Sequence, residues 1–227
     1  MIRNLVRFLL LGGLVLAVAP VQASVSITPT RTVAAGTLPS LTNSATGAWN
    51  VSSTQTTTAA FASAAQNTTI TDPAGPFSGT GSVSVRPLGG IASAESSLIV
   101  DLAITGIYNY SFSWTQLGGF FIGNGAAQAF STASFESLTT NTTLFSFNIV
   151  DGSQSGQLTS GNYRLKVSTI GDGEGVLPSA VNGSFDFKFG LEEVPQNVVP
   201  EPASIATWIC LGAVGFVGAR KRMRASV

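Results

Sequence analysis

The feature that most restricts the fold of this chain is a period of two. In "SSLIVDLAIT", Leu98, Val100, Leu102 and Ile104 fall on one side, with Ile99, Asp101, Ala103 and Thr105 on the other. "YNYSFSWT" sets Tyr108, Tyr110, Phe112 and Trp114 against Asn109, Ser111, Ser113 and Thr115 in the same way. Successive side chains of a strand point to opposite faces, so this alternation specifies strands with one buried face. Only Gly106 and Ile107 separate the two runs. That is short enough for a tight reversal, although Ile107 is a poor turn residue.

The same alternation recurs downstream. Phe145, Phe147 and Ile149 lead to a turn at Asp151 and Gly152. Tyr163, Leu165 and Val167 alternate with Arg164, Lys166 and Ser168, and Phe185, Phe187, Phe189 and Leu191 with Asp186 and Lys188. "DGSQSG", "GDGEG" and "NGS" punctuate these runs as turns punctuate short strands. There is no repeat of fixed period, which argues against a solenoid or propeller. The expected fold is all-β, a β-sandwich of jelly-roll-like arrangement rather than a closed barrel.

Two stretches depart from this pattern. In residues 126–138, "AAQAFSTASFESL", Phe130, Ser134, Phe135 and Leu138 fall at helical intervals, a spacing that a short helix would also satisfy. The run "NVSSTQTTTAAFASAAQNTT" (50–69) has few large apolar residues and reads as either an exposed strand pair or a mobile loop.

The two ends are built differently from the middle. At the N-terminus, Arg3 and Arg7 precede an apolar run over 8–19, then Val21-Gln22-Ala23. This is the layout of a secretion signal, with cleavage between Ala23 and Ser24 by a signal peptidase that accepts only small side chains beside the bond. The run is too short for a transmembrane helix, which needs about 20 residues. At the C-terminus, residues 203–219 carry no charge and would span roughly 25 Å as a helix, at about 1.5 Å per residue. Arg220, Lys221, Arg222 and Arg224 follow at once and would stay on the cytoplasmic side, leaving everything before the span outside.

Val199-Pro200-Glu201-Pro202, an apolar span and a terminal Arg/Lys cluster together resemble the tripartite sorting tail of PEP-CTERM proteins. The resemblance covers about the last 28 residues, with all three parts in order. It implies that Pro200, Glu201 and Pro202 form the recognition motif, residues 203–219 a transient membrane span, and the basic cluster its stop. It also implies an exosortase, a membrane-embedded cysteine peptidase, as processing partner. Members occur in Gram-negative-type bacteria that make exopolysaccharide, so the implied course is export, transient anchoring in the inner membrane, and display on the cell surface or release. The logic parallels lipid-anchor signals whose hydrophobic tail is absent from the mature protein. The expected organisation is a signal peptide over 1–23, a β-rich exported domain over 24–193, a linker over 194–199 and the sorting tail over 200–224.

Setting the ends aside changes the charge balance. Residues 24–199 hold five basic side chains (Arg31, Arg86, Arg164, Lys166 and Lys188) and ten acids, a net −5. A charge-poor, mildly acidic body lacks the clustered Lys and Arg that phosphates require, so nucleic acid is not an expected partner. The only cysteine, Cys210, lies in the apolar tail, so the body forms no disulfide and its stability must come from a packed core. About 175 residues suffice for that.

Chemistry is sparse. The chain has no histidine, which removes the commonest general base and zinc ligand. Paired carboxylates could still hydrolyse glycosides, but the acids fall mostly in turns and at outward strand positions. No cofactor is expected. Asp172 and Glu174 in "GDGEG" are a weak calcium candidate, two carboxylates where six or more oxygens are needed. The aromatic face of Tyr108, Tyr110, Phe112 and Trp114 fits a core better than a sugar platform, because aromatics bury much apolar area. Trp49, in "TGAWNVSST", is the aromatic more open to sugar contact. Asn-X-Ser/Thr triplets begin at Asn50, Asn67, Asn109, Asn141 and Asn182. The expectation is a non-enzymatic surface or extracellular-matrix protein associated with exopolysaccharide or biofilm. A carbohydrate-binding β-sandwich module is the alternative.

Overall fold

In the computed structural model, residues 23–195 are described except 72–74, 123–124, 149 and 178. The period of two becomes thirteen strands, with no helix among the described residues. In chain order they are β1 (Ser24–Ala35), β2 (Leu41–Asn43), β3 (Gly47–Thr56), β4 (Ala60–Ile70), β5 (Phe77–Pro87), β6 (Ala92–Thr105) and β7 (Tyr108–Leu117). β8 (Gly119–Ile122), β9 (Gly125–Ser137), β10 (Thr142–Asn148), β11 (Gly152–Leu158), β12 (Gly161–Gly175) and β13 (Val181–Glu193) complete them.

They form two antiparallel sheets, an arrangement consistent with a β-sandwich. The first runs β10-β9-β12-β6-β1-β2 with β8 also on β9, and the second runs β11-β7-β13-β5-β4-β3. Eight strands pair as one long ribbon folded back on itself: β5 with β13, β6 with β12, β7 with β11, and β9 with β10. Along the ribbon the chain changes sheet from β5 to β6 and again from β6 to β7.

Gly106 and Ile107 therefore do not close a hairpin. They form a corner that carries the chain from the first sheet into the second. Gly106 takes φ 101, a conformation that costs a residue without Cβ little, and its N–H donates to the Ser160 hydroxyl at 2.9 Å. A corner outcompetes a hairpin because both runs carry a continuous apolar face. Folded into facing sheets, Leu98, Val100, Leu102 and Ile104 bury in the same core as Tyr108, Tyr110, Phe112 and Trp114. The turn at Asp151 and Gly152 is likewise a passage between sheets, from β10 to β11. Ile149, expected on the apolar face before it, lies outside the described residues.

The stretch over 126–138, whose spacing also allowed a short helix, falls largely in a strand, β9. Its buried face is Ala127, Ala129, Ser131, Ala133, Phe135 and Ser137, a strict period of two carried mostly by small residues. The helical spacing of the few large side chains is overridden by the backbone pairing of β9 with β12, β10 and β8. The low-complexity run over 50–69 is a strand pair, β3 with β4. Only β3 is largely exposed; Ala62, Ala64, Gln66, Thr68 and Ile70 of β4 are buried.

The core has two parts. The larger is aromatic, with Phe77 stacked on Phe189 at 4.8 Å and Phe112 on Phe145 at 4.5 Å between ring centroids. The smaller is aliphatic, built from Val33, Ala62, Val83, Val85, Ala94 and Leu177 among others. Buried polar side chains also lie between the sheets. Gln66 Nε2 donates to the Ser97 carbonyl at 3.2 Å and Ser131 Oγ to the Ser184 carbonyl at 3.0 Å. Gly81 leaves room there: a Cβ on it would overlap the Phe185 ring and come within 2.6 Å of Ser96 Oγ.

Two substitutions test this packing by denaturant unfolding of residues 24–195, which lie, but for Pro195, within one compact unit, Gln22–Val194. Gly81→Ala should cost about 1–3 kcal/mol through overpacking, with partial recovery in the Gly81→Ala/Phe185→Leu double variant. Leu165→Ala, at a fully buried site, should cost about 2–5 kcal/mol. An unchanged midpoint in either would refute the packing.

Candidate functional site

The inward phase of β7 and β13 decides the fate of the aromatics. Tyr108, Tyr110, Phe112 and Trp114 are all buried and face Phe145, Phe187 and Phe189 rather than solvent. They are core, as their spacing indicated. Burial raises the Tyr108 phenol above its ordinary value of 10.0, and the nearby Glu193 carboxylate adds to the effect. Burial likewise raises Tyr110, partly offset by a hydrogen bond with Gln154.

Trp49 is half-buried on the inner side of edge strand β3, packed against the aliphatic cluster. The Arg31 guanidinium carbon sits 6.0 Å from its ring centroid, a cation–π contact. Arg31 itself is fully buried on β1. Its Nη1 donates to Asn43 Oδ1 at 3.0 Å and the Ala45 carbonyl at 2.6 Å, and its Nη2 to the Gly47 carbonyl at 2.7 Å. Desolvation lowers its pKa, and its hydrogen-bond partners are neutral oxygens. Arg31 thus ties the first sheet to the connection leading into β3, and Trp49 is part of that clip.

Asp172 and Glu174 lie within strand β12, not in a loop. Both are exposed, two residues apart on the outward face, beside Ile91 and Ala126–Gln128 around a cavity of about 370 Å³. No group of three or more His, Cys, Asp or Glu able to hold a metal occurs among the described residues. Ala23 and Ser24 lie at the start of β1. Pro200, Glu201, Pro202 and the basic cluster Arg220, Lys221, Arg222 and Arg224 lie outside the described residues, as does the expected span over 203–219.

The outward faces of the two sheets differ in chemistry. On the first, Arg164 Nε and Nη2 bond the two Asp101 oxygens at 2.7 and 3.1 Å and Glu136 stands opposite Arg164 on β9, while Lys166, Asp172 and Glu174 are exposed. The bond to Asp101 raises the Arg164 pKa. With side chains 40% and 42% exposed, this pair contributes about 1 kcal/mol or less.

The second sheet presents hydroxyls and amides. One register row crosses five strands as Asn50, Asn67, Thr80, Asp186 and Thr115. Beside it run Ser78, Lys188, Ser113 and Ser153. Rows lie about 6.8 Å apart and strands about 4.8 Å, so the face is a two-dimensional array of donors and acceptors. Two cavities of about 440 and 490 Å³ open on it and share Thr115 and Asp186. Asn50, Asn67, Asn109 and Asn182 are all exposed on this face, while Asn141 occupies a turn with φ 53. The array sets hydroxyl and amide groups around one acid, Asp186, and one base, Lys188. Sequence reading missed it. The outward Ser and Thr residues were visible as hydrophilic positions, but which strands share a sheet was not.

The chain matches no protein-family model and no curated protein.

An alkaline titration tests the buried phenols. A raised folded pKa favours the protonated form, so this stabilisation is complete below 10.0 and is lost as pH rises through the folded values. Unfolding midpoints should hold level from neutrality to about pH 9 and fall above about pH 10, less steeply in Tyr108→Phe and Tyr110→Phe. A fall of equal slope in both variants would assign it to other groups.

Proposed function

We propose that this chain is an exported, non-enzymatic surface or matrix protein, delivered through a signal peptide and an exosortase-type sorting tail and associated with exopolysaccharide. The observation that carries the reading is where the strands begin and end. β1 starts at Ser24, the residue after the expected cleavage bond, and β13 ends at Glu193, just before the linker and Pro200-Glu201-Pro202. Both processing segments could thus be removed without taking any of the thirteen strands among the described residues. The ribbon pairing of β5 through β13 supports the finer reading of the fold as a jelly roll with β1–β4 added along one side.

The carbohydrate-binding reading is favoured by one observation of its own, the hydroxyl and amide array on the second sheet. Here hydrogen bonds to sugar hydroxyls do the work that stacking aromatics do elsewhere, with Asp186 as the strongest acceptor and Asn67, Thr80 and Thr115 around it.

Processing is checked by expressing the full chain in an exosortase-bearing host and sequencing the surface-exposed form by mass spectrometry. It should begin at Ser24 and lack residues 203–227. Glu201→Ala should hold the uncut protein in the inner membrane. A surface form that keeps the tail would overturn the proposed route. On a glycan array, residues 24–195 should bind neutral polysaccharide, and Asn67→Ala or Asp186→Ala should each weaken binding about tenfold, the loss of roughly one hydrogen bond. Binding that neither variant changes would move the site elsewhere.

A further inference from the structure

The edges of the two sheets are built in opposite ways. Natural sheets blunt their edges with short strands, bulges, prolines or charges, because unpaired N–H and C=O groups recruit other strands. The first sheet does this: β2 is 3 residues long, β8 is 4, and β10 breaks register between Thr143 and Phe145. The second sheet does not. Its edge strands β3 (10 residues, GAWNVSSTQT) and β11 (7 residues, GSQSGQL) contain no charge and no proline. Among the described residues, β3 pairs only with β4, and β11 only with β7. Apart from the Gly47 carbonyl, which accepts from Arg31, the outer backbone edge of β3 has no partner among the described residues. On β11 there is only a local 3.5 Å contact from Gln154 Nε2 to the Ser155 carbonyl.

Strand direction supplies the second argument. Every neighbour in this sheet is antiparallel and the strands number six, so its two edges run in opposite directions. A copy displaced along the sheet would set its β11 antiparallel to β3 of the first, continuing the ladder without a change of face. Such a contact is heterologous, the same at every junction, and does not close on itself.

We infer that copies of this chain assemble head to tail, β3 of one pairing with β11 of the next, into an open filament whose second sheet is continuous. The hydroxyl and amide array would then repeat along the filament.

Site-specific crosslinking tests this in the full chain, because the body contains no native cysteine and Cys210→Ser removes the one in the tail. Ser52→Cys and Ser155→Cys, both exposed and near the middle of their strands, are placed in one chain and treated with a short bismaleimide. A ladder of covalent oligomers is expected from the double variant and only monomer from each single one. Dimers from Ser52→Cys alone would overturn the head-to-tail arrangement in favour of a symmetric β3 pair. Monomer from the double variant, with a monomeric sedimentation profile for the unmodified chain at micromolar concentration, would overturn assembly altogether. Mixing Ser52→Lys/Thr54→Lys with Ser153→Lys/Ser155→Lys chains leaves one competent edge on each and should stop growth at the dimer. Oligomers beyond two in that mixture would also refute the arrangement.

Discussion

Contact between the aromatic face of β7 and β13 and the aliphatic face of β6 and β12 holds this protein together. With no disulfide available to the body, and no metal-binding group among the described residues, burial of this face has to offset the conformational entropy of ordering the strands. Phe112 touches four other aromatic rings besides Trp114, and Tyr110 bridges Phe135 of the first sheet and Phe189 of the second. Because these rings come from opposite sheets, removing one loosens the sandwich rather than a single strand. The same burial is why the aromatics are not free for a ligand.

What is left for function is the outside, where the two sheets divide the tasks. The first carries one ion pair, Arg164 with Asp101, among exposed charges that include Lys166, Asp172 and Glu174. The second carries mostly hydroxyl and amide side chains around Asp186 and Lys188, and its edge strands β3 and β11 each pair on one side among the described residues. Arg31 limits how far the edge can loosen. It holds the chain entering β3 by three hydrogen bonds and keeps Trp49 seated, so β3 is presented at its outer edge while its inner face stays fixed.

The strands were legible wherever large apolar residues alternated with polar ones, as in Leu98 to Ile104, Tyr108 to Trp114, and Phe185 to Phe189. They were illegible where the buried face was made of small residues. In β9, Ala127, Ala129 and Ala133 carry the inward phase, and alanine is the best helix former, so Phe130, Phe135 and Leu138 suggested the wrong period. Asp172 and Glu174 misled for a related reason. The glycines of "GDGEG" read as a loop, whereas in β12 Gly171 and Gly173 fit where neighbouring side chains crowd, with Val85 Cγ1 3.1 Å from a Cβ built at 171 and Ala127 Cβ 2.6 Å from one at 173. A glycine that permits close approach and one that permits a turn look alike in a sequence.

From its sequence alone the chain was legible as mainly β, as lacking thiol and imidazole chemistry in its body, and as carrying two ends unlike its middle. Those properties follow from residue type and spacing, which are local. Only the tertiary structure decided that Gly106 is a corner and not a hairpin, that Trp49 lies beneath an arginine, and that Asn50, Asn67, Thr80, Asp186 and Thr115 stand in one row. Each depends on which strands become neighbours, and that is set by how two apolar faces find each other across a core, a choice no single strand encodes.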